Sequence, residues 1–491
     1  MVFETFRRMR EECPQSAAFL VTSGDRALPI SWKQFTDDID LVVSLIKSHA
    51  PKSRIALLGE NSYEWLVSHA AIMFSGATVV PLDSDLPAEE IADRLKFVGA
   101  SALIYSSLHE SKAKAVARFV PGLVVAAFGS IRTERFLDKI RRAFRHSDSV
   151  WSEESPSYSP EATSIIMFTS GTTSTPRGAE LTIAGMETFI DSARRVLEMK
   201  AGDRSLMLLP LHHIFGLCTS YTMLCAGVAL GICPDFRRIY DAVERFRANF
   251  MFLVPALAEI LAAKIEQRGK SAEDALGYPI DWILTGGAPL PRRAYERLAA
   301  LGIKTITGYG LTETTSLYSL EPSSGNPRIG SAGVVSKNPA METSVSASGE
   351  LLIRGPSVMK GYLGEPEKTA QAVDADGWFH TGDIGRIDAD GYVWITGRAS
   401  RTIVLSSGKK VAPEDLESRL LAIPGILEAV VSGEGDSREI MAEVYGTIPE
   451  RSILNAVGQM NLELPVYKRI KKTVVRETPF PRTASGKIKV S

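Results

Sequence analysis

The sequence is sparing in cysteine, in charge of one dominant sign and in long apolar runs, and each shortage removes a class of function. Four cysteines (Cys13, Cys218, Cys225 and Cys233) are spread over 491 residues. None stands at Cys-x-x-Cys spacing, so neither a zinc site nor a disulfide framework is expected, and reduced thiols in the cytoplasm are the reading. With 56 Lys+Arg against 57 Asp+Glu, the formal net charge is −1. That balance gives no overall field for a polyanion, so neither nucleic acid nor an anionic membrane surface is implied as a partner. The first residues, MVFETFRRMREE, alternate apolar and charged side chains without an apolar core, which argues against a secretory signal. One uncharged stretch, 214–233, approaches the length of a membrane span. Its interspersed glycines and hydroxyl residues point instead to a buried helix followed by a strand, with no transmembrane segment.

What is present is the texture of a globular α/β chain, 45% hydrophobic and 23% charged. The length suggests roughly three domain-sized units. Short apolar runs (54–58, 78–82, 103–105, 123–128, 250–254) alternate with helical patterns at 63–74, 239–248 and 291–300. Alternation of this kind predicts α/β layers with largely parallel sheets. Beyond about residue 320 the strands shorten (350–353, 391–396, 402–405). The tail reads as strand, strand, helix, strand at 427–432, 439–445, 450–460 and 471–476. It has the size of an independent module, with a boundary expected near Gly397-Arg398-Ala399-Ser400.

Several segments carry potential chemistry. Phe168-Thr169-Ser170-Gly171-Thr172-Thr173-Ser174-Thr175-Pro176-Arg177-Gly178 follows an apolar strand. Its hydroxyls, glycines and cation suit phosphate oxygens, although GxxxxGK[ST] is not matched and a Ser/Thr-rich turn is the alternative. His212-His213 lies in an apolar setting. No carboxylate or thiol stands at ligand spacing, so a packed histidine is expected rather than a metal ligand. Gly308-Tyr309-Gly310-Leu311-Thr312-Glu313-Thr314 offers glycines for close approach and, in Thr312 and Glu313, oxygen groups suited to Mg²⁺. Upstream, Gly286-Gly287-Ala288 ends a strand with small residues that could wall a flat ring. Asp383, in His380-Thr381-Gly382-Asp383, fits either a ribose diol or an Asx-type turn. Leu405-Ser406-Ser407-Gly408-Lys409-Lys410 and Ala484-Ser485-Gly486-Lys487 complete the set; a lysine such as Lys487 is by itself only a solvated terminal charge.

Taken together and in this order, the segments resemble the adenylate-forming superfamily of acyl-CoA synthetases, peptide-synthetase adenylation domains and luciferases, and are most similar to fatty acyl-CoA synthetases. The motifs run from about residue 160 to the end. The resemblance implies a large multi-sheet N-terminal domain (1–397) for ATP and the acyl group, a hinge (398–400) and a small mobile α+β C-terminal domain (401–491). It also implies ATP-dependent formation of an acyl-adenylate, with release of pyrophosphate, then transfer to the thiol of CoA. By that resemblance Thr169, Ser170, Gly171, Thr172, Thr173, Arg177 and Gly178 hold the β- and γ-phosphates. Thr312 binds the α-phosphate, Glu313 the Mg²⁺, and Tyr309, Gly310, Gly287 and Ala288 approach the nucleotide. Asp383 and Arg398 take the ribose, His213 stands beside the reacting carboxylate, Gly408 lines the pantetheine tunnel, and Lys487 bridges substrate and phosphate oxygens during adenylation.

The chain departs from the family pattern at Ser174 and Arg177 (usually Gly and Lys), at the hinge Ser400 (usually Asp or Lys) and at Val490 (often Arg or Lys). Arginine keeps the charge but replaces a point cation with a planar fork. His213 is followed by Ile-Phe-Gly-Leu-Cys, with no Asp to pair a substrate α-amine, which disfavours amino acids and favours a fatty or other apolar acid. Transfer to a carrier protein's phosphopantetheine and a non-catalytic protein that kept the fold are the alternatives; the second conflicts with the intact Thr312, Glu313, Asp383, Arg398 and Lys487.

Overall fold

Strands buried on both faces must be apolar throughout, and the runs at 54–58, 78–82, 103–105 and 250–254 fall in such strands, whereas 123–128 becomes the exposed edge strand Val124–Phe128. The computed structural model of the chain describes residues 1–23, 26–49, 53–128, 151, 159–169, 177–233, 235–269, 271–406, 409–434, 439–481 and 488.

Among the described residues the first sheet has seven strands. Its centre is Arg54–Leu58, parallel to both Thr78–Leu82 and Ala102–Ser106. Thr163–Thr169 and Arg177–Thr182 extend it as an antiparallel pair, and the two-residue strand Gly361–Tyr362 lines the edge. A second sheet of nine strands has a parallel centre, Arg204–Met207, Ala229–Ile232, Phe250–Leu253, Trp282–Thr285 and Thr305–Tyr309, with antiparallel strands at both edges. A third, antiparallel sheet joins Glu342–Val345, Glu350–Arg354, Phe379–Ile387 and Val393–Arg398.

Helices Tyr63–Phe74 and Ile214–Cys225 belong to one apolar core that unites the first two sheets. Tyr63–Phe74 buries every residue except Glu64, as a helix with apolar residues all round must. Its start is fixed by Ser62, whose hydroxyl accepts from the Trp65 N–H at 3.2 Å. Ile214–Cys225 is buried except at Phe215 and leads into Ala229–Ile232, the helix-then-strand expected for 214–233. No helix among the described residues is long and apolar enough to cross a membrane.

The tail builds a separate core from Ile403 to Ile470, including Leu416, Val431, Val444 and Ile453. Here Ile426–Glu434 and Glu439–Gly446 are antiparallel, and helix Glu450–Glu463 crosses to the parallel strand Lys472–Arg476. Three expected elements shift. The strand expected at 391–396 is Val393–Arg398, because Gly391 turns at φ 84° and the pairing carries on into Arg398. The strand expected at 402–405 shrinks to Ile403–Val404. The helix expected to reach 248 stops at Phe246, where Arg247 adopts φ 53°.

Candidate active site

The carboxyl ends of parallel strands are where α/β sheets leave room for ligands. The strand Thr305–Tyr309 ends there in a tight turn through Gly310 to the single helical turn Thr312–Thr314. The Leu311 carbonyl accepts from Thr314 N–H at 3.2 Å and Ser316 N–H at 2.8 Å. Thr315 and Ser316 then take left-handed conformations (φ 48° and 64°), which cost a non-glycine residue about 1–2 kcal/mol each. Two contacts fix them. The Thr315 hydroxyl donates to the Ser357 carbonyl at 2.7 Å. Gly310 packs so closely that a Cβ there would stand 2.2 Å from the Ser316 carbonyl. Thr312 and Glu313 are thereby presented half-buried on a braced turn.

Glu313 receives the Tyr362 hydroxyl on Oε1 at 2.8 Å. Tyr362 reaches it because Gly361–Tyr362 pairs with Arg177–Thr182, placing Tyr362 opposite Ala179. The Arg177 guanidinium lies 5.4 Å from the centre of the Tyr362 ring. Burial, and then the charge of Glu313, push the Tyr362 phenol well above its ordinary value, so it stays a neutral donor. Arg177 is paired with Thr169 at the mouth of the hairpin, and Gly178 lies buried against Ile166.

Asp383 sits across the turn. Hairpin register sets it opposite Arg398, whose Nε meets Oδ1 at 2.7 Å. Oδ2 accepts from the Tyr309 hydroxyl. Burial and the neighbouring Asp383 charge raise the Tyr309 phenol well above the usual tyrosine range. The residue before Asp383 is anchored too. Glu350 accepts from the Gly382 N–H at 2.8 Å and meets His380 Nδ1 at 3.0 Å, while Asp374 lies 3.6 Å from His380 Nε2. Glu350 first, and Asp374 after it, raise the His380 imidazole above its ordinary value.

His213 caps the amino end of helix Ile214–Cys225, and its ring lies 4.4 Å from that of His212. His212 approaches Asp83 at 3.9 Å; burial lowers its imidazole, with Asp83 opposing. No group of three or more His, Cys, Asp or Glu among the described residues could hold a metal by itself. A Mg²⁺ that takes one carboxylate and completes its shell with phosphate oxygens and water is a different case, and the half-engaged Glu313 fits it. The Phe215 ring lies against Gly286, and Gly287 (φ 80°) and Ala288 are exposed at the end of Trp282–Thr285.

The structure thus brings together Thr312, Glu313, Tyr309, Gly310, Asp383, Arg398, Thr169, Arg177 and Gly178 around adjoining strand ends. Ser170, Gly171, Thr172, Thr173, Gly408 and Lys487 lie outside the described residues. Sequence reading passed over Tyr362, Glu350 and His380. The Gly361-Tyr362 dipeptide at a sheet edge was the one signal for the first; nothing in spacing pointed to the other two.

The fold and site define a class, the adenylate-forming enzymes. The AMP-binding enzyme family matches residues 6–363, and the AMP-binding enzyme C-terminal domain matches 400–490. The chain belongs to this family, as an acid–thiol ligase of the AMP-forming type. It is 30% identical over 482 residues to an indoleacetate–CoA ligase of Aromatoleum aromaticum, covering 94% of this chain and 92% of the relative. It is 29% identical to the long-chain-fatty-acid–CoA ligase FadD13 of Mycobacterium tuberculosis, covering 89% and 87%. In fold it matches the crystal structure of ATP-bound MatB from Rhodopseudomonas palustris with a TM-score of 0.85 at 24% identity, over 100% of this chain and 97% of that one.

Proposed function

We propose that the chain activates a carboxylic acid with an apolar body, fatty or aromatic, and passes it to CoA. In the first step a carboxylate oxygen attacks the α-phosphorus of ATP in line, the bond to the β-phosphate breaks, and pyrophosphate leaves. In the second, the CoA thiol attacks the acyl carbonyl, loses its proton, and AMP departs. Charge builds on phosphate oxygens in the first step, so hydroxyl, amide and cationic groups aimed there lower the barrier. Thr312 is assigned to the α-phosphate, Asp383 and Arg398 to the ribose, and Thr169, Arg177 and Gly178 to the β- and γ-phosphate side. Tyr309, Gly287 and Ala288 are assigned to adenine and His213 to the substrate carboxylate. Glu313 would hold Mg²⁺, which, when bound, neutralises phosphate charge. Lys487 is assigned the α-phosphate cation of the first step.

One observation carries this reading: two carboxylates flank the braced Thr312 turn, one with both oxygens engaged and one with an oxygen that has no partner among the described residues. The acid is read as apolar because helix Ile214–Cys225, which His213 immediately precedes, carries no charged residue. The relatives named for indoleacetate and for long-chain fatty acids both act on acids of that description. The separate core from Ile403 to Ile470 supports a C-terminal unit, 401–491, that changes position between steps about 398–400.

The test is product mass spectrometry with ATP, CoA, a holo-carrier protein and a panel of fatty, aryl and amino acids. An acyl-CoA from an apolar acid, with AMP and pyrophosphate, is expected. Transfer to the carrier alone, or turnover of amino acids alone, would overturn the assignment. Lys487→Ala should slow adenylation by at least ~10²-fold, the order for losing a preorganised charge, while sparing thioester formation from preformed acyl-AMP. Equal loss in both steps would sink the two-position scheme.

A further inference from the structure

We infer that Tyr362, braced by Arg177, is a positioning residue that fixes the Glu313 carboxylate for a divalent cation without cancelling its charge. The inference rests on the nucleotide reading of the site. Glu313 Oε1 is engaged by a neutral donor, the Tyr362 hydroxyl, at 2.8 Å. Oε2 has no hydrogen-bond partner among the described residues, and no described cation forms an ion pair with Glu313. The distinction matters electrostatically. A lysine or arginine placed directly on Glu313 would orient it equally well but would repel a divalent ion at the other oxygen. Here the nearby cation is held back. The Arg177 guanidinium lies over the Tyr362 ring instead, and its buried Nε has no partner among the described residues. Its charge favours the ring's electron-rich face and holds the phenol in place.

The arrangement is also fixed in space by backbone. Tyr362 is locked by pairing with the strand that begins at Arg177, the Tyr362 N–H donates to Thr369 at 2.9 Å, and Met359 N–H donates to the Glu313 carbonyl at 2.8 Å. Glu313 and Tyr362 are therefore clasped twice, once by main chain and once by side chain. A planar guanidinium suits stacking on the ring better than an ammonium does, which gives a physical role to arginine at position 177.

The experiment uses the full chain, with Mn²⁺ as the probe, followed by electron paramagnetic resonance in the presence of a non-hydrolysable ATP analogue. Tyr362→Phe should weaken Mn²⁺ binding about ten-fold, the lower end for losing a group that orients a metal ligand. Nucleotide affinity without divalent ion, and the KM for the acid, should stay within about two-fold on the same reasoning. Arg177→Lys should shift Mn²⁺ binding in the same direction by less. Combined with Glu313→Gln, Tyr362→Phe should add almost nothing further, because both act through one carboxylate. Mn²⁺ binding by Tyr362→Phe equal to wild type, or full additivity in the double variant, would overturn the inference. Failure of the wild type itself to bind Mn²⁺ with the nucleotide would instead overturn the nucleotide reading on which it rests.

Discussion

Asp383 and Glu313 are carboxylates beside the same turn, yet the chain treats them oppositely. Asp383 is buried with both oxygens engaged, one by Arg398 and one by Tyr309. Glu313 is half-buried, with one oxygen held by Tyr362 and the other without a hydrogen-bond partner among the described residues. A saturated carboxylate has little left to give a metal ion, whose ligands must displace water and bring charge. It is well suited to accept further hydrogen bonds from neutral hydroxyls in a fixed direction. A half-saturated one keeps its charge available while its orientation is set. On the proposed assignments, the same residue chemistry would serve as a recognition group at Asp383 and as a metal ligand at Glu313, the difference lying in the partners.

The largest expected effect tests the open side. Glu313→Gln keeps the shape and removes the charge, and adenylation kcat should fall by about 10²-fold. An unchanged kcat with a raised ATP KM would mean that Glu313 binds substrate in the manner assigned to Asp383. On the saturated side, Asp383→Ala should raise the ATP KM by about ten-fold or more, the order for hydrogen bonds to a charged group, with a smaller change in kcat. ATP dependence identical to wild type would contradict the ribose role. Tyr309→Phe removes one of the two supports of Asp383 and should cost about 1 kcal/mol of stability along with a several-fold rise in ATP KM. Thermal melting and ATP titration on one preparation check both.

The smallest effect comes from the anchoring behind Asp383. His380 lies between Glu350 and Asp374, which favour its protonated form and hold its imidazole above the ordinary 6.5. Stability from this pairing is therefore fully present below pH 6.5 and is lost as pH rises through the elevated value. The melting temperature of wild type relative to His380→Gln should narrow as pH increases from about 6 to 8, on that linkage. A difference independent of pH would remove the ion pair from the account.

Much of this candidate site was legible in the sequence because its proposed groups stand beside glycines, either where a strand ends, as at Tyr309 and Gly310, or where one is kinked, as at Gly382 (φ 70°) before Asp383 within Phe379–Ile387. The Gly308–Thr314 segment and Asp383 could be found that way. The alternation before residue 320 predicted parallel strands with their bounds nearly as observed, Arg54–Leu58 and Thr78–Leu82 among them. Partnerships were not readable. Asp383 and Arg398 were each assigned to ribose, but their pairing depends on a hairpin register that includes an irregularity between Ile384 and Gly385. Tyr362 stands 49 residues from Glu313, and they meet through the edge pairing of a two-residue strand and the Met359 N–H bond to the Glu313 carbonyl. Periodicity registers which face is buried; it carries no information about contacts made across sheet edges.

Thr315 and Ser316 have a thermodynamic consequence for the ligand rather than for the fold. Their left-handed backbones, wedged by Gly310 and tied to Ser357, have surrendered conformational freedom before any ligand arrives. The loop that presents Thr312 and Glu313 thus has little entropy left to lose on complex formation. Calorimetry of nucleotide binding should accordingly find the unfavourable entropy small at this turn, with ordering confined to segments the ligand itself must gather.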